Sequence, residues 1–143
     1  MSALRVVHTL RAEDLTVVHG YLSGHAYWSR GIPLETLRSA IANSLCFVGL
    51  QGDALVAFAR VISDYATFAN LVDVFVLPEY RGQGLAHQLL EAVLAHPQLQ
   101  GLRRFTLATA DAHGLYSKFG FTPLARPERF MERYAADIYA RTP

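Results

Sequence analysis

Cysteine is nearly absent from this sequence. Cys46 stands alone, which rules out an intrachain disulfide and any multi-cysteine metal site. Such usage fits a reducing compartment, so a cytoplasmic protein is expected. An excess of one charge is also missing: 13 Lys and Arg face 12 Asp and Glu, a formal net charge of +1. A dedicated nucleic-acid or membrane-surface binder needs a basic excess, so neither partner is expected. Six histidines are scattered without HExxH or HxH spacing, and no metal site is expected. No stretch of about 18 apolar residues runs free of charges and breakers, as a membrane helix requires. The first ten residues lack the basic, apolar and small-residue order of a signal peptide. Linkers, repeats and low-complexity tracts are missing too. What is present, 143 residues of which 52% are hydrophobic, suits one compact domain over residues 1–143.

Hydrophobic periodicity divides the chain. Leu4 to Leu10 alternates weakly as a strand. From Ala12, Leu15, Val18, His19 and Leu22 share a helical face, with Glu13 and Asp14 favourable at the start and Gly24 a stop. A second helix runs from about Pro33 to Asn43, and the loop between the two is aromatic and polar (Tyr27, Trp28, Ser29, Arg30). Leu45–Leu50, Ala54–Ser63 and Phe68–Leu77 read as strands joined by tight turns, and Pro78 ends the last of them. A helix follows from Ala86 to near Pro97. Then come a strand at Arg104–Ala108, a short helix at His113–Phe119 closed by Gly120, and two short strands at Phe121–Leu124 and Phe130–Tyr134. The order β-α-α-β-β-β-α-β-α-β-β describes a mixed α/β (α+β) sheet with helices on both faces.

The informative junction is the strand ending at Leu77, the loop Pro78-Glu79-Tyr80-Arg81-Gly82-Gln83-Gly84 and the helix after it. A helix start offers unpaired N–H groups and the positive end of the macrodipole. Gly82 and Gly84 let backbone approach an anion, and Arg81 adds a charge suited to phosphate. No Lys-Ser or Lys-Thr follows, which disfavours a nucleotide triphosphatase. The third position of a dinucleotide fingerprint would be His87, which disfavours that fold too. On glycine spacing alone, a purely structural turn stays open.

Read with its flanks, the segment resembles motif A of the GCN5-related N-acetyltransferases (GNAT), R/Q-x-x-G-x-G/A, met by Arg81-x-x-Gly84-x-Ala86. Gly114-Leu115-Tyr116-Ser117-Lys118-Phe119-Gly120-Phe121 resembles a second family segment, and the order of elements is similar over nearly the whole chain. The resemblance implies a mostly antiparallel sheet of six to seven strands flanked by helices. It also implies acetyl-CoA as co-substrate, with Arg81, Gly82, Gln83, Gly84, Leu85 and Ala86 at its pyrophosphate. Backbone near Phe75, Val76 and Leu77 would run along the pantetheine, where a bulge would aim an N–H at the thioester carbonyl. The implied activity is transfer of an acetyl group to a primary amine by direct attack in a ternary complex. A non-catalytic CoA-binding or regulatory domain, or an enzyme acting on protein lysines or N-termini, remains the alternative.

Tyr116 matches the family position beside the coenzyme sulfur and is the candidate general acid; the alternative is a tyrosine that only packs there. Asp73 interrupts the most apolar strand. It reads as a base or amine anchor, or equally as a carboxylate satisfied by an Arg or by backbone. The family's Asn after the fifth strand is replaced here by Thr109, which leaves a side-chain contact to the pantetheine open, and Asp111 is expected to cap the short helix. Tyr27 and Trp28, with Asp64 and Tyr65 in a later turn, are the candidate acceptor-side residues. Aromatics with an acidic group would suit a small cationic amine, although Tyr27 or Trp28 could simply cover the core. Cys46 begins an interior strand and is expected to be inert. Exposed apolar residues of the last strands could support a homodimer.

Overall fold

The structure is a computed structural model and describes residues 3–140. Its elements are β1 (Arg5–Val7), α1 (Ala12–Gly24), α2 (Leu34–Ala42), β2 (Leu45–Gln51), β3 (Ala54–Ser63), β4 (Phe68–Val76), α3 (Leu85–Ala95), β5 (Arg104–Leu107) and α4 (His113–Ser117), with short 3-10 turns between and after them. The strands form one sheet in the order β1-β2-β3-β4-β5. The first three pairings are antiparallel, as hairpin turns dictate. β4 and β5 are parallel, because α3 carries the chain back across the sheet.

Helices cover both faces. Leu85, Leu89, Leu90 and Val93 of α3 recur at helical spacing and pack with Phe47, Val56, Val61, Leu71 and Tyr116 in one core. On the other face Val18 and Leu22 of α1 and Leu37 of α2 pack with Val48, Phe58 and Phe75. Each such buried Leu, Val or Phe contributes about 1.5–3 kcal/mol. At the start of α1 the buried Asp14 carboxylate accepts the Arg11 backbone N–H at 2.9 Å and two guanidinium bonds, from Nε at 3.0 Å and Nη2 at 2.9 Å. These bonds hold its pKa below the usual carboxylate range. No described helix is long and apolar enough to cross a membrane.

The two final strands do not form, so the sheet has five strands instead of six or seven. Phe121 turns its ring onto Phe105 and Tyr116, at centroid distances of 5.5 and 6.1 Å. Pro123 and Pro127 remove N–H donors that a ladder would need. Pro127–Arg129 winds into a 3-10 turn, and every residue from 122 to 138 is exposed. The alternation in Phe130–Tyr134 is real, but it meets no sheet edge of its own chain. Elsewhere the differences are small: β1 and β5 are shorter than expected, and α4 stops at Ser117.

Candidate active site

β4 carries an irregularity that opens the sheet. Phe58 of β3 faces Phe75, yet Arg60 faces Val72, so two residues, Asp73 and Val74, oppose Ala59 alone. This is a β-bulge, and Asp73 takes φ +55°, a left-handed conformation that Asp tolerates better than most residues. The bulge exchanges the strand's faces. Ala69 and Leu71 before it and Val74 and Val76 after it all meet the α3 core, while Phe75 and Leu77 meet the α1 side. β5 pairs with β4 only from Phe68 to Leu71. Beyond Leu71 the two strands have no shared ladder, and a cleft begins at the bulge.

At one end of that cleft stands the start of α3. Gly84, its N-cap, has φ +75°, and Gly82 has φ +80°, conformations that favour glycine. A Cβ built on either meets no atom within 4 Å, so the loop faces open space. No side chain caps the helix, so its first-turn N–H groups stay available to an anion. Arg81 is tied back to the fold: its Nε donates to the Val76 carbonyl at 3.0 Å and its Nη2 to the Tyr21 hydroxyl at 2.9 Å. The Tyr21 ring stacks on Phe75 at 4.1 Å. Arg81 therefore braces the glycine loop against the end of β4 as well as bringing charge to it.

A cavity of about 790 Å³ runs from this loop to Tyr116. Phe75, Val76, Arg81, Gly82, Gly84 and Ala86 line it, together with His25, His87 and Lys118. A second cavity of about 560 Å³ continues past Tyr116 between β4 and β5, lined by Asn70, Asp73, Thr109 and Asp111 among others. Both share Tyr27, Trp28, Val74, Asp111, Ala112 and Tyr116. The cations differ between them: Arg81 and Lys118 line the first cavity only, Asp111 lines both, and Asp73, paired with Arg60, lines the second with no cation beside it in the lining.

Tyr116 sits at the junction and is buried. Burial raises its pKa, and the nearby Asp111 carboxylate and Tyr27 raise it further, so the phenol keeps its proton through neutral pH. The Tyr27 and Trp28 rings meet edge to face at 5.1 Å. Both are pinned. The Tyr27 hydroxyl accepts the Ala110 N–H at 3.2 Å, and the Trp28 indole N–H donates to Asp73 Oδ1 at 2.8 Å. Asp73 Oδ2 accepts from Arg60 Nε at 2.9 Å, and Arg60 also donates to the Ser44 hydroxyl at 2.9 Å. Both carboxylate oxygens of Asp73 are thus engaged, one by the aromatic wall and the other by Arg60.

The side chains of three loop and strand residues turn away from the two cavities while their backbones remain in the loop and at the end of β4: Leu85 points into the core, Leu77 packs on the α1 side, and Gln83 contacts Gln51 at 3.4 Å. The Asp64 carboxylate is consumed by its own turn, accepting from the N–H groups of Ala66, Thr67 and Phe68 and from the Thr67 hydroxyl, and these bonds push its pKa well down. Neither Asp64 nor Tyr65 lines the two cavities. Asp111 does not cap α4. The Thr109 hydroxyl accepts the N–H groups of Asp111 and Ala112 instead, at 3.4 and 3.0 Å, and the Asp111 side chain is left to the cleft. The sequence reading passed over His25, His87 and Lys118 as site residues, although Lys118 lies within the segment that carries Tyr116. Cys46 is buried and its thiol pKa is pushed up to about 11, chiefly by burial, so it is no nucleophile.

The chain is similar over its length to a crystallised GNAT-family protein of Xanthomonas campestris pv. campestris: 52% identical, 99% of each chain covered, TM-score 0.94. An uncharacterized N-acetyltransferase of Prochlorococcus marinus is 35% identical over 101 residues, 66% of this chain and 56% of that protein. The chain spans between 55% and 69% of the length of the first curated relatives it matches. A Clostridium acetobutylicum acetyltransferase crystallised with acetyl-CoA shares the fold, with TM-score 0.66 at 14% identity over 94% of this chain and 96% of that one. The family profile described as an acetyltransferase (GNAT) domain matches residues 42–123, the span holding the bulge, the glycine loop and Tyr116, and the chain belongs to the GNAT acetyltransferase family.

Proposed function

We propose that the protein is an acetyl-CoA-dependent N-acetyltransferase whose acceptor is a small cationic amine. One observation carries this reading. A single cleft has an uncapped helix start at one end, a protonated tyrosine at its middle and a cation-free, carboxylate-bearing cavity beyond it. The anionic co-substrate suits the first part, and an amine suits the last.

The residues present fit acetyl-CoA. The open space beside Gly82 and Gly84, with the free N–H groups of the first turn of α3, suits a diphosphate. Arg81 and Lys118 supply charge there. The unpaired edge of β4 beyond Leu71 suits an extended amide chain laid alongside as a further strand. The bulge at Asp73–Val74 breaks the β3 ladder where the thioester would lie, and a main-chain N–H released there can meet the oxygen on which charge develops.

The acceptor nitrogen, as the neutral amine after losing its ammonium proton to water in the open cavity, attacks the thioester carbonyl carbon. The C–N bond forms, the C–S bond breaks, the leaving sulfur takes the Tyr116 phenolic proton, and the proton still to be lost from the nitrogen returns through water to the Tyr116 phenolate. Asp73 holds Trp28 in place and is not assigned the proton. The carboxylate that meets the cationic acceptor is Asp111, which makes no side-chain hydrogen bond or ion pair among the described residues. Tyr27 and Trp28 offer ring faces to the same cation.

The test is transfer from acetyl-CoA to a panel of amines, read by mass spectrometry. Diamines are expected to outperform neutral primary amines. Asp111→Asn should raise their KM about fivefold to tenfold, the discount on a charge-assisted contact reflecting its exposure. Equal KM values for charged and neutral acceptors would remove Asp111 from the acceptor site. Binding of acetyl-CoA without transfer to any amine would leave only a CoA-binding module.

A further inference from the structure

Asparagine is a poor strand former, yet Asn70 stands inside β4 between the buried Ala69 and Leu71. Those two neighbours face the α3 core, so the Asn70 side chain leaves the sheet on the opposite face. It sits level with Thr106 on the last rung but one of the β4–β5 ladder. One residue further the two strands part, and Asn70 lines the cavity that opens there.

Asn70 and Thr106 close the narrow end of that cavity. The Thr106 hydroxyl donates to Asn70 Oδ1 at 2.7 Å. This bond turns the amide oxygen toward β5 and leaves the NH2 group pointing away from it. The NH2 has no partner among the described residues, and none of their buried side-chain nitrogens or oxygens lacks one, so it reaches accessible space. Three residues, about 10 Å of strand, separate Asn70 from the bulge at Asp73. Between this end and Tyr116 the walls include Val72, Val74, Leu107 and Ala108, all apolar. Asp73 is engaged there by Trp28 and Arg60, which leaves Asp111 as the available charge in the lining.

We propose that Asn70, oriented by Thr106, reads a neutral carbonyl oxygen of the acceptor, which makes the acceptor a small diamine that bears an amide group. The inference rests on the transferase reading of this cleft. An amide NH2 donates and cannot accept, so it rewards an oxygen and offers nothing to an ammonium group. A carboxylate in the same place would be repelled by Asp111, so the oxygen is that of a neutral group. The reacting amine meets the thioester, the carbon chain follows the apolar walls, the second ammonium goes to Asp111 and the carbonyl to Asn70. Asn70 is thus a specificity residue, and Thr106 a positioning residue that acts through it.

The test compares lysinamide with cadaverine, which is the same diamine without the carboxamide, and ornithinamide with putrescine at a shorter length. In the wild type the amide-bearing member of the pair that fits should have a KM about fivefold lower, the worth of one neutral hydrogen bond. Free lysine, with a carboxylate in place of the amide, should lose that advantage. Asn70→Leu should bring the ratio to one. So should Asn70→Asp, which still accepts from the Thr106 hydroxyl and lacks the N–H donors. Thr106→Val should reduce the ratio, and Thr106→Ser should restore it. Equal KM values within both pairs, a preference for the plain diamines, or a ratio that survives in Asn70→Leu overturns the proposal. Calorimetric affinities of the same amines in the presence of CoA give the same ratios without turnover. A chain that transfers nothing yet keeps the ratio refutes the transferase reading alone, and one that transfers without any ratio refutes this inference alone.

Discussion

Replacing Asp73 by Asn separates the two roles a carboxylate at the bulge can play. Asn accepts the Trp28 indole N–H as Asp does and tolerates φ +55° equally, so the backbone and the aromatic wall are spared. What is lost is the charge opposite Arg60, whose side chain is 14% exposed and pairs with Asp73 at 8%. Breaking a buried pair by removing one partner costs roughly 3–5 kcal/mol. Arg60 keeps the Ser44 hydroxyl and some solvent, so about 2–3 kcal/mol is expected here. For a chain of this size about 3 °C accompanies each kcal/mol, and Tm should fall by about 6–9 °C. Circular dichroism melts give that number, and steady-state kinetics below the new Tm give kcat and the acceptor KM. The expected result is a destabilised enzyme whose kcat falls severalfold and whose pH–rate profile keeps its shape. A variant as stable as wild type with kcat reduced about a thousandfold would refute this account and return Asp73 to the role of base.

Three further outcomes follow from the geometry. Tyr116→Phe should lower kcat by about a hundredfold or more and leave acetyl-CoA affinity unchanged by calorimetry, because only the proton donor is removed; a normal kcat would make the ring a packing element. Arg81→Ala should weaken acetyl-CoA several-fold through the loss of both a charge and the brace to Val76 and Tyr21; unchanged affinity would dismiss both roles. Asp14 has a pKa held below its unfolded value by Arg11, so its contribution to stability is present above about pH 4 and is lost as pH falls through the folded value. Urea titrations should therefore show wild type and Arg11→Ala differing at neutral pH and converging in acid; a constant difference would contradict the assignment.

The glycine-loop end of the candidate site was legible in the sequence because its requirements are local. Positive φ demands glycine at 82 and 84, and the apolar repeat Leu85, Leu89, Leu90, Val93 declares the helix that follows. The span Ala54–Ser63 was readable to its last residue because turn residues bound it. The acceptor end was not, since its arrangement depends on register and on competition between side chains. Asp73 stood out as a charge in an apolar strand, yet its partner Arg60 is fixed only by the pairing of β3 with β4. Asp111 reads as a cap for α4, and the sequence does not say that the Thr109 hydroxyl takes the N–H groups of Asp111 and Ala112 while no side chain caps the helix. Asp64 looked available until its turn closed on it. The last two strands alternate as strands do, and alternation carries no information about whether an edge awaits them.

The central claim is that the glycine loop and the first turn of α3 bind the diphosphate of acetyl-CoA. Calorimetric titration of the full chain with acetyl-CoA tests it most directly, beside a Gly84→Val variant whose fold is checked by circular dichroism. Saturable binding by the wild type, and binding at least tenfold weaker in a folded Gly84→Val, is the predicted pair, because a β-branched residue cannot hold φ +75° without strain and its side chain would enter the open space beside the loop. No heat from the wild type at millimolar acetyl-CoA, or equal affinity in the variant, would contradict it.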